Sequence, residues 1–415
     1  MTSVEPTRIG FVPPRFGNEV VGGAEAVMAQ AARQLAARGY GVEILTSCAV
    51  DHYTWANHYA PGVVETDGMV VRRFPSVMDT RGVHRQRIGD RIVGGHQVNI
   101  TDQQLWVNDS MRVPELWHYM LRNSHQYRAI VFAPYMFWTT YAVGQVAPAR
   151  SIIMPCLHDE PPAKLDVFKP VIEGARGIWF LTEPEAELGR SLFSLPSRQR
   201  IVGAGIEPAE HYDADAFRAE YQIGGEYIYY AGRREWGKGW ADLVEAFGRL
   251  VTQYGTHLKL VTSGVGDAEI PPYLKGRIVD VGFISDDQRN NAMAGAVAYI
   301  QPSRLESFSR TVLEAWAAGT MVIANAGSAV VKWHVKRSQA GLVYNNQPEL
   351  VQALRFVSEA PETAATIAEP GRSYVLDRYL WPQVTDQMEE SIQQWFAATA
   401  PPLNAGASAT MKRAV

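Results

Sequence analysis

Residues 229–239, YYAGRREWGKG, decide how this chain is read. The apolar run EYIYYA ends in a turn that holds three glycines and the cations Arg233, Arg234 and Lys238, and GWADLVEAFGRLVTQY follows. A continuous apolar run suits a strand covered on both faces, and apolar positions three and four apart mark a helix. Downstream the alternation continues through HLKLVTSG, SDDQRNNAMAG, VAYIQPS, SRTVLEAWAAG and TMVIANA. Upstream it begins at RIGFVPP. A helix over 23–38 follows, with Val27, Met28, Ala31 and Leu35 on its inner face and Gly39 as its stop, and then GVEILTS, RAIVFAP, SIIMP and GIWFLT. Strands that alternate with helices build parallel sheets from βαβ units. Two such series, separated by IVGAGIEPAEHYDAD, predict an α/β chain of two doubly wound Rossmann-like domains facing across a cleft.

The boundaries expected are 1–203 and 204–380, with a hinge near 203–208. A last helix, 381–397, returns to the first domain, and a tail, 398–415, lacks apolar periodicity and is expected to be disordered. The length of 415 residues suits two domains, and 47% hydrophobic with 20% charged residues suits a large core. A net charge of −4 argues against nucleic acid as a partner, which calls for a basic footprint. Cys48 and Cys156 are too few for a disulfide framework, and no basic-then-apolar leader opens the chain, so a cytoplasmic protein is expected. The uncharged run IVFAPYMFWTTYAVGQVA approaches the length of a membrane span, but Pro134 divides it, and it reads as strand, turn and helix start.

Ligands of open parallel sheets bind beyond the carboxyl ends of the strands. GRREWGKG lies at that edge, so Arg233 and Lys238 point toward the cleft as an anion site. The second piece is PSRLESFSRTVLEAWAAG, 302–319, which also follows a strand and opens a helix at about Ser309. The unpaired N–H groups and positive dipole end of that helix suit a phosphate. Glu306 precedes the helix, and Glu314 lies in its second turn with Thr311 one turn earlier. A carboxylate near a phosphate site can accept ribose hydroxyls, and one beyond the phosphates can accept sugar hydroxyls. The plainer reading of Glu314 is an i,i+4 pair with Arg310.

These residues resemble the retaining glycosyltransferases of family 4, the glycosyl transferases group 1 type, with the GT-B fold. AGRREWGKG is similar to that family's Gly-Arg…Lys-Gly motif and ESFSRTVLE to its Glu-x7-Glu motif. GGAE at 22–25, CLHDE around His158 and GAGIE at the hinge follow the same order, so the likeness spans roughly 8–385. The resemblance implies that Arg233 and Lys238 bind the diphosphate of a nucleotide-sugar donor, with Arg234 facing solvent. It implies that backbone N–H groups of Phe308, Ser309, Arg310 and Thr311 hold the same diphosphate, that Glu314 holds the ribose and that Glu306 holds the transferred sugar. Val281, Phe283 and Ile284 in VGFIS would line the nucleobase, and Gly22 and Gly23 would close on the phosphates. His158 would stand beside the reacting carbon. Transfer would be retaining, with the donor's own phosphate taking the acceptor's proton and no metal or other cofactor. The acceptor class implied is a glycan, lipid-linked glycoconjugate or natural product.

Other readings remain open on sequence. Asp213-x-Asp215 has the form of a metal-chelating pair, but a helix-start role explains it. GAG at 203–205 lacks the third glycine of a dinucleotide loop. A nucleotide-sugar epimerase or sugar phosphorylase of the same fold, or a catalytically silent sugar-nucleotide-binding subunit, are the alternatives. Ser307 and Ser309 stand where the family often has glycine, which leaves the donor sugar open. Six arginines fall between Arg72 and Arg91, in a stretch with no clear amphipathic helix. It is expected to be a solvated loop, or else a contact for an acidic acceptor or for the inner face of a membrane.

Overall fold

The computed structural model describes residues 7–78 and 83–397. Its apolar runs form two sheets, one in each half of the described chain. The first has the strands β1 (Arg8–Val12), β2 (Val42–Ser47), β3 (Gly62–Thr66), β4 (Met69–Phe74), β5 (Tyr127–Phe132), β6 (Ser151–Ile153), β7 (Gly177–Phe180) and β8 (Gln199–Ile201). Their order is β3-β4-β2-β1-β5-β6-β7-β8, parallel except for β3 on β4 at the edge. β1, β2, β5 and β7 are buried nearly throughout, which is why they read as unbroken apolar runs.

The second sheet has β9 (Tyr227–Ala231), β10 (Lys259–Ser263), β11 (Ile278–Asp280), β12 (Ala298–Gln301), β13 (Val322–Asn325) and β14 (Gly341–Tyr344). It is parallel throughout, in the order β11-β10-β9-β12-β13-β14. The chain runs outward from β9 to β11, crosses back to β12 and runs outward again. The switch therefore falls between β9 and β12, where an open α/β sheet leaves a crevice at its carboxyl edge. The loops that leave these two strands are GRREWGKG and PSRLESFS.

The helix Gly23–Ala37 buries Val27, Met28, Ala31 and Leu35, and Gly39 beyond it takes φ +89°. The segment around Pro134 is a strand followed by a short helical turn, Thr139–Val143. No helix among the described residues is long and apolar enough to cross a membrane. The hinge is tied to the chain's return: the Ile206 N–H donates to the Tyr379 carbonyl at 2.6 Å, and a Cβ on Gly205 would stand 2.1 Å from the Trp381 ring. The helix Trp381–Trp395 then crosses to the first sheet. Trp179 Nε1 of β7 donates to Ser391 Oγ at 2.8 Å, and Arg38 pairs with Glu389 at 2.7 Å. The tail at 398–415 lies outside the described residues.

The arginine-rich stretch is not the solvated loop expected. Arg72 and Arg73 belong to β4, where Arg72 donates to the buried Glu43 at 2.8 Å and Arg73 lies over the Tyr59 ring. Val83–Val93 is a helix that buries Ile88 and Ile92. Its Arg85 lies 4.2 Å over Trp106 and donates to the Trp106 carbonyl at 3.0 Å. Arg91 pairs with Asp102 at 3.0 Å. The helix was masked in the sequence because its apolar face has only two residues, among basic ones that pack by their stems. Asp79 and Arg81 lie outside the described residues.

Candidate donor site at the switch point

GRREWGKG is shaped by its glycines and by the loop after β10. Gly239 takes φ +72°, and a Cβ there would stand 2.6 Å from the Pro302 carbonyl oxygen. Only glycine lets the loop after β9 lie on the loop after β12. Lys238, next to it, thereby reaches Glu306: Nζ to Oε1 is 2.7 Å, with side chains 28% and 13% exposed. The two groups assigned to diphosphate and sugar thus lie in direct contact. Burial alone would raise the Glu306 carboxyl. Lys238 outweighs it, His158 adds to the effect, and the group falls below its ordinary value.

Arg233 is 39% exposed at its side chain and pairs with Glu235 at 3.1 Å. Arg234 does the opposite of what was expected. Its side chain is 1% exposed, forms an ion pair with Asp280, and donates to the carbonyls of Gly264 at 2.7 Å and Gly266 at 3.1 Å. It staples the loop after β9 to the ends of β10 and β11. Two adjacent arginines cannot both face the cleft when one must close three loop ends.

Ser309 takes φ +67°, a left-handed conformation that favours glycine. Serine is held in this conformation by Gln301, whose Nε2 donates to Ser309 Oγ at 2.7 Å. The hydroxyl is thereby turned away from capping the helix Arg310–Ala317, whose first N–H groups have no side-chain cap. Glu314 is buried and carries two cations: Arg310 at 3.1 Å, which is the plain i,i+4 pair, and Arg289 at 3.2 Å from the helix Asp286–Ala294. A carboxylate offers about four lone-pair sites, so two arginines leave room for hydroxyls. Of the VGFIS segment, Ile284 is buried, Val281 is partly buried, and Phe283 is 67% exposed. Phe308 is buried against Tyr379 and His334.

From the first sheet, Gly22 precedes the helix Gly23–Ala37. A Cβ on Gly22 would stand 2.3 Å from Glu25 Oε2, whereas Gly23 has nothing near. Glu25 of GGAE is clamped by the buried Arg15, with Nη2 2.5 Å away. His158 follows β6, with Nδ1 3.5 Å from Glu160 Oε1, and Glu160 in turn accepts from the buried Tyr135 hydroxyl at 3.0 Å. The domains touch where Thr182 Oγ1, beyond β7, donates to the Ser307 carbonyl at 3.2 Å, one residue from Glu306. His52, on the loop after β2, is held below its ordinary pKa by burial first, then by Arg15 and Arg233, so cations of both domains share the cleft mouth. Two surface depressions, of about 430 Å³ beside Leu342 and Phe356 and about 540 Å³ beside Gly203 and Tyr379, lie elsewhere.

Sequence reasoning missed Arg15, Glu160, Arg289 and Glu185. Glu160 sat in the quoted CLHDE, and Arg15 lies three residues past the end of β1, which were the available signals. Glu185 is 1% exposed, and its two oxygens accept the N–H groups of Leu157 at 2.7 Å and Leu181 at 2.6 Å. Burial pushes its carboxyl up to about 8, against the pull of these bonds. Between the unfolded value near 4.5 and 8, the folded chain holds a proton that the unfolded chain has lost. Stability relative to Glu185→Gln should therefore fall as pH rises from 5 to 8, by up to ~1.4 kcal/mol per unit. Urea melts of both proteins at pH 5, 6.5 and 8 check this; a constant difference would show the group ionised throughout.

Asp213 caps its own helix, accepting the Ala216 N–H at 2.8 Å, and Asp215 lies in the first turn, as helix-start residues do. No group of three His, Cys, Asp or Glu side chains converges among the described residues.

Two Rossmann-like sheets with their carboxyl edges on one cleft give this chain the GT-B architecture. Residues 225–359 match the family described as Glycosyl transferases group 1, a span that holds both motifs of the site. Lipopolysaccharide 1,2-N-acetylglucosaminetransferase of Salmonella typhimurium is 28% identical over 192 residues, 41% of this chain; the match spans about half of that relative, 48%. D-inositol 3-phosphate glycosyltransferase of Jonesia denitrificans is 25% identical over 361 residues, 80% of this chain and 82% of the relative. Sucrose-phosphate synthase of Thermosynechococcus elongatus superposes with a TM-score of 0.70 at 19% identity, over 95% of this chain and 100% of that one, a likeness of fold.

Proposed function

We propose that the chain is a retaining glycosyltransferase that moves a sugar from a nucleoside-diphosphate donor to a hydroxyl of a glycan, glycoconjugate or natural-product acceptor. The observation that carries this reading is the Lys238–Glu306 pair at 2.7 Å, set at the β9/β12 switch point beside an uncapped helix start. The two curated relatives are named as glycosyltransferases, in agreement with it. The donor's diphosphate lies between Arg233, Lys238 and the N–H groups at 308–311. Lys238 leaves Glu306 for the phosphate, and Glu306, freed, accepts hydroxyls of the transferred sugar. Breaking the anomeric C–O bond puts a further negative charge on the leaving diphosphate, where a cation acts most strongly in the transition state. The acceptor's proton passes to a phosphate oxygen, so no protein base is required. Glu314 holds the ribose with its remaining lone pairs, and Val281, Phe283 and Ile284 line the base. Asp213 and Asp215 are occupied at a helix start, and the transfer is assigned no metal. The free, buried Cys48 and Cys156 suit a reducing compartment.

The test is a thermal-shift series with UDP, GDP, ADP and dTDP in EDTA. One nucleotide at about 100-fold over its dissociation constant should stabilise the fold by ~2.7 kcal/mol. No shift with any of the four would overturn the donor site. A shift that required magnesium would overturn metal independence.

A further inference from the structure

Glu185 is a buried carboxyl that the reaction described above does not use. It lies in the first turn of the helix Glu183–Leu192, behind β7, and its partners among the described residues are backbone N–H groups rather than a cation. One oxygen takes the N–H of Leu157, the residue before His158, and the other takes that of Leu181, the residue before Thr182. Thr182 caps the same helix by accepting the Glu185 N–H at 3.3 Å, and its hydroxyl donates to the Ser307 carbonyl beside Glu306. One side chain thus fixes the segment that carries His158 and the segment that touches the loop of Glu306. The segment after β6 needs such a hold: Cys156 adopts φ +53°, which is unfavourable for a side-chain-bearing residue. Leu157 and Cys156 are buried, so their backbone has no water to replace the bond.

We propose that Glu185 is a positioning residue for the transfer site, setting His158 of the first domain in register with Glu306 of the second through the Leu157 N–H and the Thr182–Ser307 contact. This rests on the glycosyltransferase reading. Glu185 touches neither donor nor acceptor; it acts on two backbone segments that do. A carboxyl, ionised or protonated, keeps a lone pair on each oxygen, whereas glutamine sets an NH2 donor against one of the two N–H groups and so holds one segment and releases the other. The ribose and diphosphate contacts have their own supports inside the second domain, Gln301 on Ser309 and the two arginines on Glu314, so nucleotide binding is expected to survive the loss of this link.

The experiment uses the full chain, Glu185→Gln, Thr182→Val and Thr182→Ser. It reads nucleotide affinity by calorimetry and the release of nucleoside diphosphate from the sugar nucleotide that wild type hydrolyses best among UDP-, GDP-, ADP- and dTDP-glucose. Expected for Glu185→Gln is an affinity within twofold of wild type and a kcat lowered at least tenfold. Thr182→Val, which keeps the carboxyl but removes both the link to Ser307 and the helix cap, should lower kcat several-fold at unchanged affinity, and Thr182→Ser, which keeps both bonds, should restore it. A folded Glu185→Gln with wild-type kcat overturns the proposal, as does a loss of affinity that tracks the loss of kcat, because that pattern is a merely structural effect. If Glu185→Gln does not fold, Thr182→Val decides, and wild-type kcat in it overturns the coupling. Wild type that neither binds nor hydrolyses any of the four fails the glycosyltransferase reading itself, and the inference falls with it. Wild type that does both, with variants indistinguishable from it, fails this inference alone.

Discussion

Replacing Lys238 with alanine should slow the release of nucleoside diphosphate from the sugar nucleotide by about 10²- to 10³-fold, the ~2.7–4 kcal/mol typical of losing one preorganised donor to developing charge. Two losses combine at this position. The leaving diphosphate loses a point cation, and Glu306, only 13% exposed at its side chain, loses the partner that keeps its carboxyl low. Nucleotide affinity should also fall, since the bound diphosphate already carries charge, but by less than kcat. Glu306→Gln is the contrast: it frees Lys238 and should lower kcat while nucleotide binding holds or tightens. A cycle of both single variants and the double variant measures the pair directly. Wild-type turnover in Lys238→Ala would remove Lys238 from the reaction.

Arg234→Met is expected to cost the second domain about 3 kcal/mol, the low end of what breaking a buried ion pair costs. Asp280, at 31% side-chain exposure, can partly rehydrate and so limits the loss. The carbonyls of Gly264, partly buried, and of Gly266, on an exposed loop, lose their donor as well and can turn to water. For a domain of this size the melting temperature should drop by about 6–12 °C. Arg234→Lys should recover little, because an ammonium cannot span Asp280 and two carbonyls as a planar fork does. Arg233→Met, on the exposed neighbour, should leave stability near wild type and weaken nucleotide binding. The two adjacent variants, melted and titrated side by side, separate a structural arginine from a ligand arginine. Equal melting temperatures would show that the buried pair adds nothing to the fold.

Much of this molecule could be read before its structure. Strands such as RIGFVPP and EYIYYA announce themselves because burial on both faces demands unbroken apolar runs, a local property of the chain. The helix after GG follows from its apolar spacing and from Gly39, and the loops GRREWGKG and PSRLESFSR could be placed at strand ends for the same reason. The helix Val83–Val93 could not be seen, since its two buried residues give too narrow a stripe among arginines whose stems pack under their charges.

Which side chain meets which was decided only by the tertiary structure. Lys238 and Glu306 are 68 residues apart in sequence, and they meet because β12 returns to lie beside β9 and Gly239 lets the two loops touch. The same crossing decides that Arg234 turns inward to Asp280 while Arg233 stays at the cleft mouth near His52, a distinction two identical neighbours in a sequence cannot carry. In the sequence Glu185 is the middle of three acids in EPEAE, 183–187, with nothing to set it apart. Its role depends on backbone N–H groups of Leu157 and Leu181, which bear no side-chain signature at all. The sequence by itself determined the strands, the helices and the chemical types at the loop tips, because these follow from periodicity and local backbone preference. Pairing, burial of charge and the register between the two domains arise from strand order and close packing, which are properties of the folded chain alone.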